Sequence, residues 1–325
     1  MKFSEIIGDN HWQNVQDTLS SIVGMGIRTI DVQGEKVVRP SNMPSVCSEA
    51  VASSDTASEK CIQWYPKLAA FLKKQEPKKY YENICPLGLA NFSVPIILDN
   101  AEPVFLILGP VVFKDGKKDI KFTQRIQDSG VDEEKFFNCF NELPAVSAAK
   151  LESVVDFSTG ITKFMKTLGA LTTSGEKEKV LFSKEQVGML LKTFLELAMK
   201  LCDAERGSMM LFEKSTQELS IKDATGLSED IINNTKIKPG EGLAGSAIQK
   251  KKGLFINEEL SDRELRLRMH KPKIKSAFVI PVFHHHEILG VISVGTAKQP
   301  NRFSEKLMEL LNELVGMALE KVDLA

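Results

Sequence analysis

Tryptophan and tyrosine are scarce and lopsided: Trp12, Trp64, Tyr65, Tyr80 and Tyr81 are the full set, and none follows residue 81. Any ligand grip that pairs an aromatic face with a polar tip therefore belongs to the first half of the chain. No apolar run approaches the roughly 20 residues that span a bilayer, so a membrane role is not expected. The opening MKFSEIIGDNHWQ has no basic segment ahead of an apolar one, which reads as no signal peptide and predicts a cytoplasmic protein. Net charge is nearly absent, because 42 Lys and Arg stand against 43 Asp and Glu. That balance supplies no general attraction to nucleic acid, and no interleaved aromatics or helix-turn-helix pattern supplies a local one. There are five cysteines and no Cys-x-x-Cys, so reduced thiols are expected rather than a disulfide framework.

What is there suits two globular domains: 325 residues exceed one ordinary core, and 42% are apolar with 26% charged. In NVQDTLSSIVGMGIRTIDVQGEKVV an amphipathic helix is followed by a Gly-flanked turn and two alternating strands joined near Gly34. Residues 58–75, SEKCIQWYPKLAAFLKKQ, predict a helix in two pieces around Pro66. The stretch ANFSVPIILDNAEPVFLILGPVVF predicts two mostly apolar strands across an Asp-Asn-Ala turn, fed by the loop NICPLGL.

Farther on, Leu151, Val154, Ser158, Ile161, Met165 and Leu168 follow a heptad seam, and TTSGEKEK breaks it as a polar linker. A second seam follows at Val187, Leu190, Phe194, Leu197 and Leu201. A dimer-forming helical rod and a lone packed helix both give this pattern, and a dimer is the expectation. Beyond it, RGSMMLFEKSTQELSIKDATG and SAFVIPVFHHHEILGVISVGTA predict strand pairs, and SEKLMELLNELVGMALEKV a terminal helix. The fold class is α+β, with a mainly antiparallel sheet and helices at its ends.

The second half, over roughly residues 180–323, resembles a GAF domain, on RGSMMLFEKSTQELSIKDATG, IKPGEGLAGSAIQKKKGLFINE, KSAFVIPVFHHHEILGVISV and FSEKLMELLNELVGMALE. Gly240, Gly242 and Gly245 allow a tight turn into a helix whose amino end would face a pocket, though a plain turn explains them equally. The resemblance implies Leu243 and Phe278 as ligand-binding residues. The Asn-Lys…Phe…Asp-Glu pattern of cyclic-nucleotide GAF domains is missing, and so are the pocket cysteines of bilin-binding and methionine sulfoxide reductase GAF domains. Cys202 falls in the helix before the sheet.

The first half, over roughly residues 10–165, resembles the PocR sensory domain, on GMGIRTIDVQGEKVV, VC at 46–47, CIQWY from 61, ICPLGLANFSVPI and PVFLILGPVVF. That resemblance implies a PAS-like ligand-binding domain and gives Cys47, Cys61 and Cys85 a shared place in its pattern. The expected layout is a PocR-like sensory domain at 1–147, a coiled-coil-like helical linker at 148–180 and a GAF domain at 181–325.

Cys47 and Cys61 are separated by 13 residues and Cys85 follows 23 later. Small residues lining an apolar pocket, a zinc or iron-sulfur site, and a redox-responsive set are all open readings of the trio. Trp64 and Tyr81 are pocket candidates beside them, with core packing as the alternative. The HHHE of residues 284–287 falls at a hairpin tip, where histidines are usually solvated, and RELRLRMHKPKIK at 263–275 reads first as a solvated face.

The combined expectation is a cytoplasmic, homodimeric small-molecule sensor without catalytic residues. No kinase core, cyclase or DNA-binding module is recognisable before Ala325, so output is expected to pass to a separate signalling partner or to an adjoining chain missing from this sequence. A metal- or redox-responsive sensor, a ligand-free dimeric scaffold and a thiol or cluster redox enzyme are the rivals.

Overall fold

The computed structural model describes residues 2, 3, 5, 9–161 and 180–324, apart from 77, 99–100, 114–120, 148–150, 153, 157, 183, 203, 257–274, 285–286, 298–305, 308–309, 313 and 315–321. The TTSGEKEK linker, Met165, Leu168 and the basic run up to residue 274 lie outside the described residues. The chain divides into two compact units, Met1–Gly169 and Ala170–Ala325. Each mixes helices with a mainly antiparallel sheet.

In the first unit, helix α1 (Asp9–Val23) leads through Gly24, at φ +67°, into strand β1 (Ile27–Ile30). Four further strands follow: β2 (Tyr81–Ile84), β3 (Ala90–Ile96), β4 (Val104–Phe113) and the short β5 (Ala145–Val146). The sheet order is β1-β4-β3-β2, all antiparallel, and β5 pairs in parallel with the far end of β4. The register puts Arg28 opposite Ile107, Ile107 opposite Ser93, and Ser93 opposite Tyr81. Directly opposed residues share a face, so these four form one row across the sheet, and Thr29 points to the other side.

That other side is covered by α1. Trp12 Nε1 donates to Thr29 Oγ1 at 2.8 Å, and the Thr29 hydroxyl donates to Gln16 Oε1 at 2.7 Å. Gln16 Nε2 completes the set by donating to the Arg39 carbonyl and to Ser41 Oγ, both at 2.7 Å. Every member of the network is thereby satisfied inside an apolar setting, which is what makes burying it tolerable.

The face bearing Arg28 is covered by helix α2 (Asp55–Leu72), by a π-helical turn at Val46–Ala50 running into a 3₁₀ turn at Val51–Ser53, and by helices α3 (Lys121–Gln127) and α4 (Glu133–Asn141). Ser54 caps α2, accepting from Ala57 N at 3.2 Å while donating to the Ser129 carbonyl at 2.9 Å. Contrary to the expected break, α2 runs through Pro66 as one helix. The carbonyl that Pro66 leaves without its helical donor belongs to Ile62, whose side chain is exposed.

The second predicted strand after β1 is reduced to two isolated bridges, Ile30 with Lys36 and Ile27 with Ser41. Asp31 Oδ1 accepts from the backbone N–H of Gln33 and of Glu35 and turns the chain there. Gly34, at φ +84°, then lies against the α2 backbone so closely that a Cβ would fall 2.4 Å from Pro66 N.

The expected rod residues Leu151, Val154, Ser158 and Ile161 are buried within the single chain, and Ser158 Oγ donates to the Val154 carbonyl at 2.9 Å. These four positions pack inside their own chain, as those of a lone packed helix would. Lys79, ahead of β2, forms an ion pair with Asp156 on the same helical stretch.

In the second unit, helix α5 (Lys184–Cys202) precedes a six-stranded antiparallel sheet. Its strands are β7 (Arg206–Glu213), β8 (Glu218–Thr225), β9 (Lys236–Ile237), β10 (Leu254–Ile256), β11 (Ser276–His284) and β12 (Glu287–Thr296), in the order β10-β11-β12-β7-β8-β9. A separate parallel pair joins β6 (Val180–Phe182) to β13 (Val322–Leu324). A Cβ at Gly207 would meet the Met199 and Leu195 side chains at 2.7 and 2.9 Å, which places α5 on the β7 face that carries Gly207. Phe194 and Leu197 of the second expected seam are buried in the single chain; the side chains of Val187, Leu190 and Leu201 lie outside the described residues. The opposite face of the sheet holds Met210, Leu219, Val279 and Val291 under helix α6 (Gly242–Lys250).

Candidate functional site

The first unit gathers groups from four separate elements on the inner face of its sheet. Arg28 comes from β1, Cys47 from the π-helical turn, Cys61 and Tyr65 from α2, and Cys85 from the loop after β2. The Arg28 Cζ stands 5.0 Å from the centroid of the Tyr65 ring, within cation–π range, and Tyr65 in turn lies 5.0 Å from Trp64. The three cysteines are half-buried, and each packs against the core of Leu87, Leu89, Ile126 and Phe136. Trp64 and Tyr65 pack against the neighbouring core of Ile30, Leu68, Phe105 and Ile107. The cluster thus lies where two apolar cores meet.

The electrostatics of the cluster are set by burial. Removal from water pushes the Cys47 thiol up to about 11, against a downward pull from Arg28 and a small upward push from Cys61. Burial raises Cys61 as well, again opposed by Arg28. Cys85 is driven up to about 12 by burial, although hydrogen bonds from the backbone at Leu89 and Leu87 work the other way. All three are neutral thiols at neutral pH. Arg28 is itself lowered by burial, and the three cysteines are the groups that pull it back up. Its Nε is sealed from solvent and has no hydrogen-bond partner.

Among the described residues, no group of three or more His, Cys, Asp or Glu side chains is disposed to hold a metal ion. The structure therefore brings Cys47, Cys61 and Cys85 around one guanidinium rather than around a cation site. Trp64 stands at the edge of the cluster through Tyr65. Tyr81 lies on the same sheet face, but its hydroxyl is taken up locally: it donates to the Glu76 carbonyl and accepts from Lys78 N at 3.0 Å. Next to it, Asn83 Nδ2 donates to the buried Ser93 Oγ at 2.7 Å.

Arg28 was not among the residues singled out from sequence. Its signal was a cation inside Ile-Arg-Thr-Ile, an apolar strand that the alternation pattern alone cannot orient.

The second unit keeps its two expected site residues apart. Leu243 packs with the α6 side of the sheet, whereas Phe278 is opposite Val294, one residue out of step with Val279, and so faces the other way. Phe278 stacks on Phe255 at 4.8 Å between ring centroids. Gly240 N–H donates to the Gly245 carbonyl at 2.8 Å, and a Cβ at Gly245 would sit 2.2 Å from the Lys238 carbonyl oxygen. The turn explanation accounts for these glycines. Glu287, at the HHHE tip, pairs with Lys214 at 2.6 Å; His285 and His286 lie outside the described residues. Cys202 closes α5, its thiol pushed up to about 12 by burial.

A family model described as the sensory domain found in PocR matches residues 5–170. The chain belongs to the PocR sensory-domain family. A second model, a GAF domain, matches residues 166–318, so the PocR domain is followed by a GAF domain, a pairing that belongs to sensory signalling. Among solved structures, the chain is similar to the GAF domain of an Acinetobacter phosphoenolpyruvate-protein phosphotransferase, at 16% identity, covering 54% of this chain and 95% of that one, with a TM-score of 0.35. It is also similar to the free methionine-R-sulfoxide reductase of Neisseria meningitidis, solved with its substrate, at 15% identity over 51% of this chain and 89% of that one, TM-score 0.38. A third is the GAF domain region of a Geobacter sulfurreducens membrane protein, at 21% identity over 41% and 93%, TM-score 0.33. No curated protein matches the chain. No helix among the described residues is long and apolar enough to cross a membrane.

Proposed function

We propose that this chain is a cytoplasmic small-molecule sensor whose PocR domain takes its ligand at the cluster of Arg28, Cys47, Cys61, Trp64, Tyr65 and Cys85. The observation that supports this reading is the convergence of one cation, an aromatic face and three neutral thiols from four elements on a single sheet face. A packed core alone has no use for a half-buried guanidinium. Ligand sites, by contrast, combine apolar walls with a few placed polar groups.

Occupancy would be passed to a second copy of the chain or to a separate signalling protein by a shift in helix packing. The buried positions Leu151, Val154 and Ile161 are already engaged within one chain. A dimer would therefore have to use another face, or exchange these contacts on activation. The reading assigns no reaction to the chain.

The test is to denature the purified full-length protein, identify the released small molecules by mass spectrometry, and measure their effect on its melting temperature. A compound that rebinds and raises the melting temperature of the wild type, but not of Cys61→Trp, supports the reading. Release of nothing, with no stabilisation by any recovered fraction, refutes it.

A further inference from the structure

We propose that the ligand of the PocR domain is a monocarboxylate, its oxygens held by the Arg28 guanidinium and its short apolar body laid against Tyr65 and the thiols. The inference rests on the sensor reading above and adds the chemical class.

The first observation is an unmatched charge. Among the described residues, the Arg28 side chain has no ion pair and no hydrogen bond, and the only ionisable groups acting on it are Cys47, Cys61 and Cys85. All three are held in their neutral form by burial, so none supplies the counter-charge. A guanidinium withdrawn from water without an anion is costly, and native structures usually pair it. Stacking on Tyr65 at 5.0 Å satisfies the ring face of the cation but leaves its in-plane N–H groups free, Nε included.

The second observation is the count and shape of the charge. A guanidinium presents a planar fork of donors that fits a carboxylate in two parallel bonds. Among the described residues no second cation acts on Arg28, so a single negative charge is matched there better than a phosphate, nearer two charges at neutral pH.

The remaining wall decides the body of the ligand. Tyr65 and Trp64 bring aromatic surface and Cys61 a soft one to the guanidinium, which favours a short apolar chain over a sugar or a second acid group.

The experiment uses the full chain in carboxylate-free buffer, with the linear monocarboxylates from acetate to hexanoate and, at each length, the matching amide and alcohol. Binding is followed by calorimetry and by melting temperature for the wild type, Arg28→Lys and Arg28→Met. The expected result is that at least one acid binds while its amide and alcohol do not. Arg28→Lys should weaken that acid by about tenfold or more, since it keeps the charge but loses the fork, and Arg28→Met should abolish binding. Circular dichroism of the variants confirms that the fold is retained. Should an amide or alcohol bind as well as its acid, or should Arg28→Met respond like the wild type, the carboxylate assignment is overturned and the sensor reading stands. Should no member of the series bind, and nothing be released on denaturation, both are overturned.

Discussion

The Arg28 guanidinium lies over the ring of Tyr65, 5.0 Å from its centroid, and so ties strand β1 to helix α2 without a single hydrogen bond. Tyr65→Leu should remove that attraction and lower the stability of the first unit by about 1 kcal/mol, while Tyr65→Phe should change it by only a few tenths. Both tryptophans belong to this unit, so the fluorescence transition in urea reads it separately from the GAF domain.

Thr29→Val keeps the shape of a buried side chain and takes away the hydroxyl that joins Trp12 to Gln16. An indole N–H and an amide oxygen are then left without their partner in a sealed interior. The expected loss is about 2–3 kcal/mol, read from the same fluorescence transition.

The thiols give a pH dependence with a definite sign. Burial holds Cys47 near 11 and Cys85 near 12, above the unfolded value of 9.0, so the folded chain keeps these protons longer than the unfolded one. Their contribution is complete below pH 9 and is lost as pH rises through 9 toward 11 and 12. The melting temperature of the wild type should fall more steeply over that interval than that of Cys47→Ala/Cys85→Ala. At pH 7.5 (about 1.5 units below the free-thiol value) both cysteines should react with iodoacetamide far more slowly than in the urea-unfolded chain.

Two glycines in the GAF domain should respond in opposite ways to alanine. At Gly245 a Cβ would come within 2.2 Å of the Lys238 carbonyl oxygen, and the expected loss is about 1–3 kcal/mol or more. At Gly188, within α5, nothing lies within 4 Å, and Gly188→Ala should gain up to about 1 kcal/mol from helix propensity. Circular dichroism reports both, and tryptophan fluorescence should not follow them.

Much of this architecture was readable in advance because alternation and helical spacing are local. The strands around Phe92 and Leu106, the two-unit layout and the grouping of Cys47, Cys61 and Cys85 all followed from such patterns or from family likeness. What escaped depended on distant partners. Pro66 costs its helix the bond to the Ile62 carbonyl without ending it, and spacing alone does not show whether a proline will break a helix or be carried through. The strand expected after Gly34 gave way to bridges because Asp31 captures the two backbone groups that would extend the turn into a ladder. Arg28 gives no signal of its own orientation in the sequence, and its place follows only from the pairing that sets it in a row with Ile107 and Ser93. Leu243 and Phe278 were assigned to one pocket by family likeness, and a one-residue difference in strand parity set Phe278 on the far side.

Strand β4 pairs with the strand that carries Arg28 through Phe105–Leu108, and its last residues, Val112 and Phe113, hold Ala145 and Val146 at the start of the chain's way out of the domain. In the sensor proposed here, cargo and exit would therefore be fastened to the same beam. Between its two ends Gly109 stands at φ +128°, where the pairing with β3 shifts register, so a tilt imposed by an occupant at one end would be taken up first at that residue.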